Sequence, residues 1–176
     1  TPSSLWGVLC AVWIAGVLFM GIFLIRSALR LRALKNASLP LQHEKAKALY
    51  QSCLEELHIR RKIPVYSNAF LKSPVMAGVI RPGIYLPIHL ISDYQEKDLR
   101  YILLHELFHY RHRDSLIGHL MNLAGMVYWF HPLMRLSLHT MREDREIACD
   151  ASVLSLLDEA SYAEYGQTLI RFARKT

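Results

Sequence analysis

Apolar positions first run unbroken along this chain and then become periodic. Leu5–Ile25 holds no charged residue, long enough for a helix that spans a bilayer, and the helical pattern continues to about Lys35. Asn36–Leu41, with Pro40, reads as a linker. Glu44–Leu57 places Ala48, Leu49, Cys53, Leu54 and Leu57 at helical spacing and predicts an amphipathic helix. Lys62–Pro87 changes to β-branched segments punctuated by Pro and Gly: Ile63-Pro64-Val65-Tyr66, Val75–Ile80 and Ile84-Tyr85-Leu86. Arg81-Pro82-Gly83 reads as the turn between two of these strands, so a small antiparallel sheet is expected. Four helical stretches follow, over Asp98–Arg111, Leu116–Phe130, Leu133–Leu157 and Ala160–Arg174. Ser92-Asp93-Tyr94-Gln95 reads as a capping box for the first, with Glu96 and Arg100 as an i, i+4 pair, and Asp114 as a cap for the second. Pro132 breaks the run between the second and third.

The fold class expected is α+β and mainly helical. One transmembrane helix with its extension (1–35) precedes a domain (36–176) whose sheet comes before the charged helix. Leu116–Phe130 is apolar but carries His119 and Asn122, which suits a buried or membrane-abutting helix better than a second span. Tyr128-Trp129-Phe130 would fit a membrane interface or a plain core equally.

Charge refines this picture. The net +6 owes much to Arg26, Arg30, Arg32 and Lys35 just after the apolar run, while residues 1–4 are uncharged. The positive-inside rule then places the C-terminal side of the span in the cytoplasm. The basic residues have that topological role, so no nucleic-acid binding is expected from the charge. The three cysteines (Cys10, Cys53, Cys149) form no C-x-x-C, and free thiols agree with a reducing compartment. The apolar run lacks the basic lead of a cleaved signal peptide. A chain beginning with Thr reads as a fragment of something longer.

The candidate chemistry lies in the helix over 98–111. His105-Glu106-Leu107-Phe108-His109 is H-E-x-x-H. Residues i and i+4 share a helical face about 5–6 Å apart. Two imidazoles there can grip one Zn²⁺, and Glu106 stands where it can take a proton from a bound water. The bland alternative is a His-rich surface helix, since His112 and His119 follow. A metzincin would need His six residues after His109, and Ser115 stands there. Glu146 and Asp150 instead form an E-x-x-x-D pair on a later helix. In this gluzincin plan Glu146 is the third ligand and Asp150 bonds a ligand histidine to fix its tautomer. Glu143 and His112 are rival ligands, and an Arg142–Glu146 ion pair is the bland reading of Glu146. His139, Tyr162 and Tyr165 are candidates for a second oxyanion donor.

Several segments together resemble the BlaR/MecR-type membrane metallopeptidases, the sensor-transducers of β-lactam resistance. They are Ser73-Pro74, Gly78-Val79-Ile80-Arg81-Pro82, Leu86-Pro87, Leu104–His109, Asp114, Trp129-Phe130-His131-Pro132 and Arg145–Asp150. The resemblance covers nearly the whole chain. It implies a zinc endopeptidase with ligands His105, His109 and Glu146 and Glu106 as base. It also implies a protein substrate, the chain itself or a repressor of resistance genes. The family's antibiotic-binding sensor domain has no counterpart in these residues, and a homodimer is compatible with them. A housekeeping or CAAX-type membrane protease uses the same motifs, and a scaffold with a vestigial site is the non-enzymatic alternative.

Overall fold

The structure, a computed structural model, describes residues 2–93 and 95–175, and only the backbone of 2, 3, 93 and 172–175. It is mainly helical with one small sheet. Helix α1 (Pro2–Asn36) comes first, and its apolar part is long enough to cross a membrane. Helix α2 (Glu44–Glu56) buries Leu49, Cys53 and Leu54 of the stripe expected from periodicity, but Ala48 is exposed and Ala46 and Tyr50 are buried in its place. It ends at His58, whose φ of 53° puts a non-glycine residue in the left-handed turn that closes the helix.

The sheet consists of β1 (Leu39–Pro40), β2 (Val65–Asn68), β3 (Val75–Ala77) and β4 (Gly83–Pro87) in the order β1-β2-β4-β3. It is mixed rather than purely antiparallel. The hairpin β3–β4 is antiparallel as expected, but β2 runs parallel to β4, with Val65 opposite Ile84 and Asn68 opposite Pro87. The segment after β2 carries the chain past β4 before β3 turns back onto β4's far edge. The turn glycine is Gly78 rather than Gly83. Its φ is 108°, and a Cβ there would lie 2.4 Å from the Arg81 carbonyl oxygen. The supposed linker supplies β1, an edge strand antiparallel to β2.

Helix α3 (Ile88–Asp93) is short and leads to the motif helix α4 (Glu96–Arg111), followed by α5 (Asp114–Val127), α6 (Pro132–Leu154) and α7 (Glu159–Lys175). Helix α4 starts at Glu96, four residues past the serine of the expected capping box. Ser92 belongs to α3, where its hydroxyl donates to the Ile88 and His89 carbonyls, and Gln95 precedes α4 without a side-chain cap. Tyr94 of that proposed box lies outside the described residues. Arg100 pairs with Glu56 on α2 at 2.8 Å rather than with Glu96, tying α4 to α2.

Helix α4 is the central element of the core. Leu103, Leu104 and Leu107 are fully buried, each contributing about 1.5–3 kcal/mol by leaving water. Ile84, Leu86 and Leu90 close the core from the sheet side, and Cys149 and Val153 close it from α6. Helix α7 is pinned along α4 by polar contacts: Thr168 donates to Asp98, Arg171 pairs with Asp98, and Lys97 pairs with Glu164. These contacts fix where Tyr165, 2% exposed, meets the motif.

Candidate metal centre

The i, i+4 spacing on α4 does what helical geometry requires. His105 and His109 face one another with their Nε2 atoms 3.1 Å apart. Glu146 on α6 brings Oε2 to 3.5 Å from His105 Nε2 and 3.8 Å from His109 Nε2. Four ligands in a tetrahedron around zinc, at about 2.0–2.1 Å each, stand roughly 3.3 Å from one another. The triangle therefore has the size of a zinc coordination face.

The tautomers agree with that size. His105 Nδ1 lies 3.0 Å from Asp150 Oδ1 and 3.2 Å from the Tyr165 hydroxyl, which itself donates to Asp150 Oδ1 at 2.7 Å. His109 Nδ1 lies 2.6 Å from Asp114 Oδ2. A carboxylate only accepts, so each Nδ1 carries the hydrogen and each Nε2 presents a lone pair. Two lone pairs 3.1 Å apart repel unless a cation lies between them. The donor set thus fits a bound Zn²⁺.

The electrostatics point the same way. Burial works against a charged His105, yet the Glu146 carboxylate, which accepts from the protonated ring, and the charges of Glu106, Asp150 and Glu146 outweigh it and raise its pKa. Glu146 is held below the usual carboxylate range, chiefly by its bond to His105. Glu106 is 8% exposed, and burial pushes its carboxyl up against the opposing pull of both histidines. The site favours positive charge at the ligand triangle and keeps Glu106 basic enough to accept a proton.

A cleft of about 630 Å³ opens over this group. One wall is Pro74, Val75 and Met76 on and beside β3, an edge strand of the sheet. The other carries Arg142, Arg145 and Glu146 of α6.

A family model described as the BlaR1 peptidase M56 matches residues 1–176. The chain belongs to this family. Among its M56 relatives, the regulatory protein BlaR1 of Bacillus licheniformis is 34% identical over 162 residues, covering 92% of this chain and 27% of that protein. The methicillin resistance protein MecR1 of Staphylococcus aureus is 25% identical over 172 residues, 96% of this chain and 29% of that protein. BlaR1 of Staphylococcus aureus is 24% identical over 159 residues. The chain spans less than a third of the length of these relatives.

Within this M56 fold the remaining residues singled out from the sequence separate clearly. Tyr165 reaches the site, but through its bonds to His105 and Asp150, so it positions a histidine rather than facing a substrate carbonyl. His139 is exposed and paired with Glu143 at 3.3 Å, and Tyr162 is half-exposed on α7; neither lines the cleft among the described residues. His112 faces Cys149 and Ser152 instead of the triangle. Arg145 donates to the Asp114 and Met141 carbonyls and so braces α6 against the start of α5.

Asp114 is expected as a helix cap and as one of the residues that carry the resemblance, with no role assigned at the metal. It is instead the first residue of α5, 8% exposed, and its carboxylate holds His109. The left-handed turn at Arg113 (φ 57°) swings it back onto α4. The available signals are its position five residues after His109 and its place among the residues that carry the resemblance. We expect Asp114→Ala to weaken zinc binding about 10- to 100-fold while leaving the helical content unchanged, measured by zinc titration against a competing chelator.

Proposed function

We propose that the chain is the membrane-anchored zinc endopeptidase unit of a signal-transducing antibiotic-resistance sensor. In this reading residues 1–35 anchor it and residues 36–176 form the peptidase on the cytoplasmic side. It cuts itself, a transcriptional repressor, or both. The observation that carries the reading is the triangle of His105 Nε2, His109 Nε2 and Glu146 Oε2 beside a buried Glu106, with both Nδ1 atoms tied to carboxylates. The name of the methicillin resistance protein MecR1 supports the resistance context, and that of the regulatory protein BlaR1 supports a regulatory role.

Zn²⁺ held by these three residues would supply Lewis acidity toward a water and a scissile carbonyl. Glu106 takes the proton from the attacking water and delivers it to the leaving amine. Asp114 and Asp150 hold the two imidazoles in the tautomer the ligands need, and Tyr165 holds Asp150. A peptide in extended form can add to the free edge of β3, where main-chain hydrogen bonds would draw its scissile bond across the cleft. The basic residues after the apolar run support the cytoplasmic placement.

Metal removal tests the proposal. The chain is reconstituted in lipid vesicles, its metal content read by mass spectrometry and its self-cleavage by intact mass. About one zinc per chain is expected, with cleavage lost on chelation and restored by added Zn²⁺. A metal-free preparation whose cleavage ignores the chelator would overturn it.

A further inference from the structure

The tip between α5 and α6 lies against the middle of α1. A Cβ on Gly16 would meet the Trp129 indole at 2.2 Å, so only glycine admits this ring. Trp13 Nε1 donates to the Val127 carbonyl at 3.0 Å, and Met126 Sδ lies 3.9 Å from the Cβ position of Gly21. The pairings Gly21–Met126 and Gly16–Trp129 run in opposite directions, so α5 descends antiparallel along α1. Gly16 is nine residues inside the end of the uncharged run at Ile25, about 14 Å at 1.5 Å per residue. A hydrocarbon core is about 30 Å thick. Anything seated on Gly16 is therefore near the centre of whatever bilayer α1 crosses.

The tip is built for that depth. Residues 115–134 contain no Asp, Glu, Lys or Arg. Leu123, Tyr128, Phe130, Leu133 and Leu136 are each at least half exposed, an apolar surface that α1 does not cover. Lipid also favours a paired backbone, and the turn supplies part of that pairing. The amides of Tyr128, His131 and Met134 bond to the Ala124, Tyr128 and His131 carbonyls, and the Trp13 indole takes the Val127 carbonyl. The one nearby charge, Arg135, shares a helical stripe with His139 and Arg142 and has a stem long enough to snorkel toward the cleft mouth.

We propose that α5 and the start of α6 form a re-entrant wedge whose tip is covered by lipid acyl chains at mid-bilayer. The inference rests on α1 crossing the membrane. It also sets the height of the candidate site. Helix α5 carries Asp114 about 20 Å back from Val127, which places the cleft at the membrane surface, where juxtamembrane peptide segments are the substrates within reach.

Spin labels measure the depth. In a Cys10→Ser background the remaining thiols, Cys53 and Cys149, are fully buried, and burial pushes Cys53 up to about 11 and Cys149 higher still. Single cysteines then replace Phe130, Leu133, Leu120, Phe19 on α1, and Lys45 as a water-exposed reference. The full chain is labelled and placed in phosphatidylcholine vesicles, and collisions with oxygen and with a nickel chelate are recorded. Labels at 130 and 133 are expected to match that at 19, with high oxygen and lost nickel collisions, and 120 to be shallower. Nickel access at 130 and 133 equal to that at 45 would overturn the wedge while leaving the anchor standing. Shielding from both reagents would overturn it in favour of a second copy of the chain. Nickel access at 19 itself would overturn anchor and wedge together.

Discussion

Glu106→Gln should abolish self-cleavage while zinc stays bound. Glutamine keeps the size and the hydrogen-bonding capacity of the side chain but cannot hold a proton in transit. Removing a general base costs about 10²–10⁴-fold in rate. In the proposed site the ligand atoms are on His105, His109 and Glu146, so metal content should remain near that of the wild type. Stability should not fall either. Burial in the folded chain already disfavours the charged form of Glu106, and a neutral isostere removes that cost. Three readouts on one preparation decide the matter: intact mass after incubation, zinc per chain, and the thermal midpoint. Cleavage at the wild-type rate with full zinc would remove Glu106 from the chemistry and return the non-catalytic scaffold to consideration.

The parts of this molecule legible in its sequence are those fixed by local spacing. Helices α2 and α4 to α7 lie within a few residues of their expected limits because each carries a regular apolar stripe. The approach of His105 to His109 follows from one turn of helix. What was not legible depends on partners far along the chain. The parallel pairing of β2 with β4 depends on which side of β4 the intervening strand β3 occupies, and no short-range signal records that. Arg100 looked paired with Glu96, four residues away, but meets Glu56, forty-four residues away, because α2 packs on that face. His139 looked available because histidine suits an oxyanion site. Its helical phase instead sets it beside Glu143, away from the cleft. Asp114 is the instructive case. Its type and position suit a helix cap, and only the left-handed turn at Arg113 converts it into the partner of His109.

Glu146→Ala and Glu143→Ala should separate sharply in zinc content. The two carboxylates lie three residues apart on α6, and spacing alone left either able to reach the motif. In the folded chain Glu143 Oε2 is occupied by His139 Nδ1 at 3.3 Å, both side chains being well exposed, and that pair is worth less than about 1 kcal/mol. Glu146 Oε2 instead completes the triangle with the two Nε2 atoms. Losing a partner that only orients a ligand costs about 10–100-fold in metal affinity, so losing a ligand itself should cost more than about 100-fold. Glu146→Ala is therefore expected to emerge from purification with little zinc, and Glu143→Ala with as much as the wild type. Glu146 is exposed at the cleft mouth, so its truncation opens no core cavity, and the circular dichroism of the two variants should coincide. Equal zinc in both would leave the histidines needing another partner. A loss in Glu143→Ala alone would mean that α6 slides by about 4.5 Å and turns by about 60° when metal binds, carrying Glu143 into the place where Glu146 now stands.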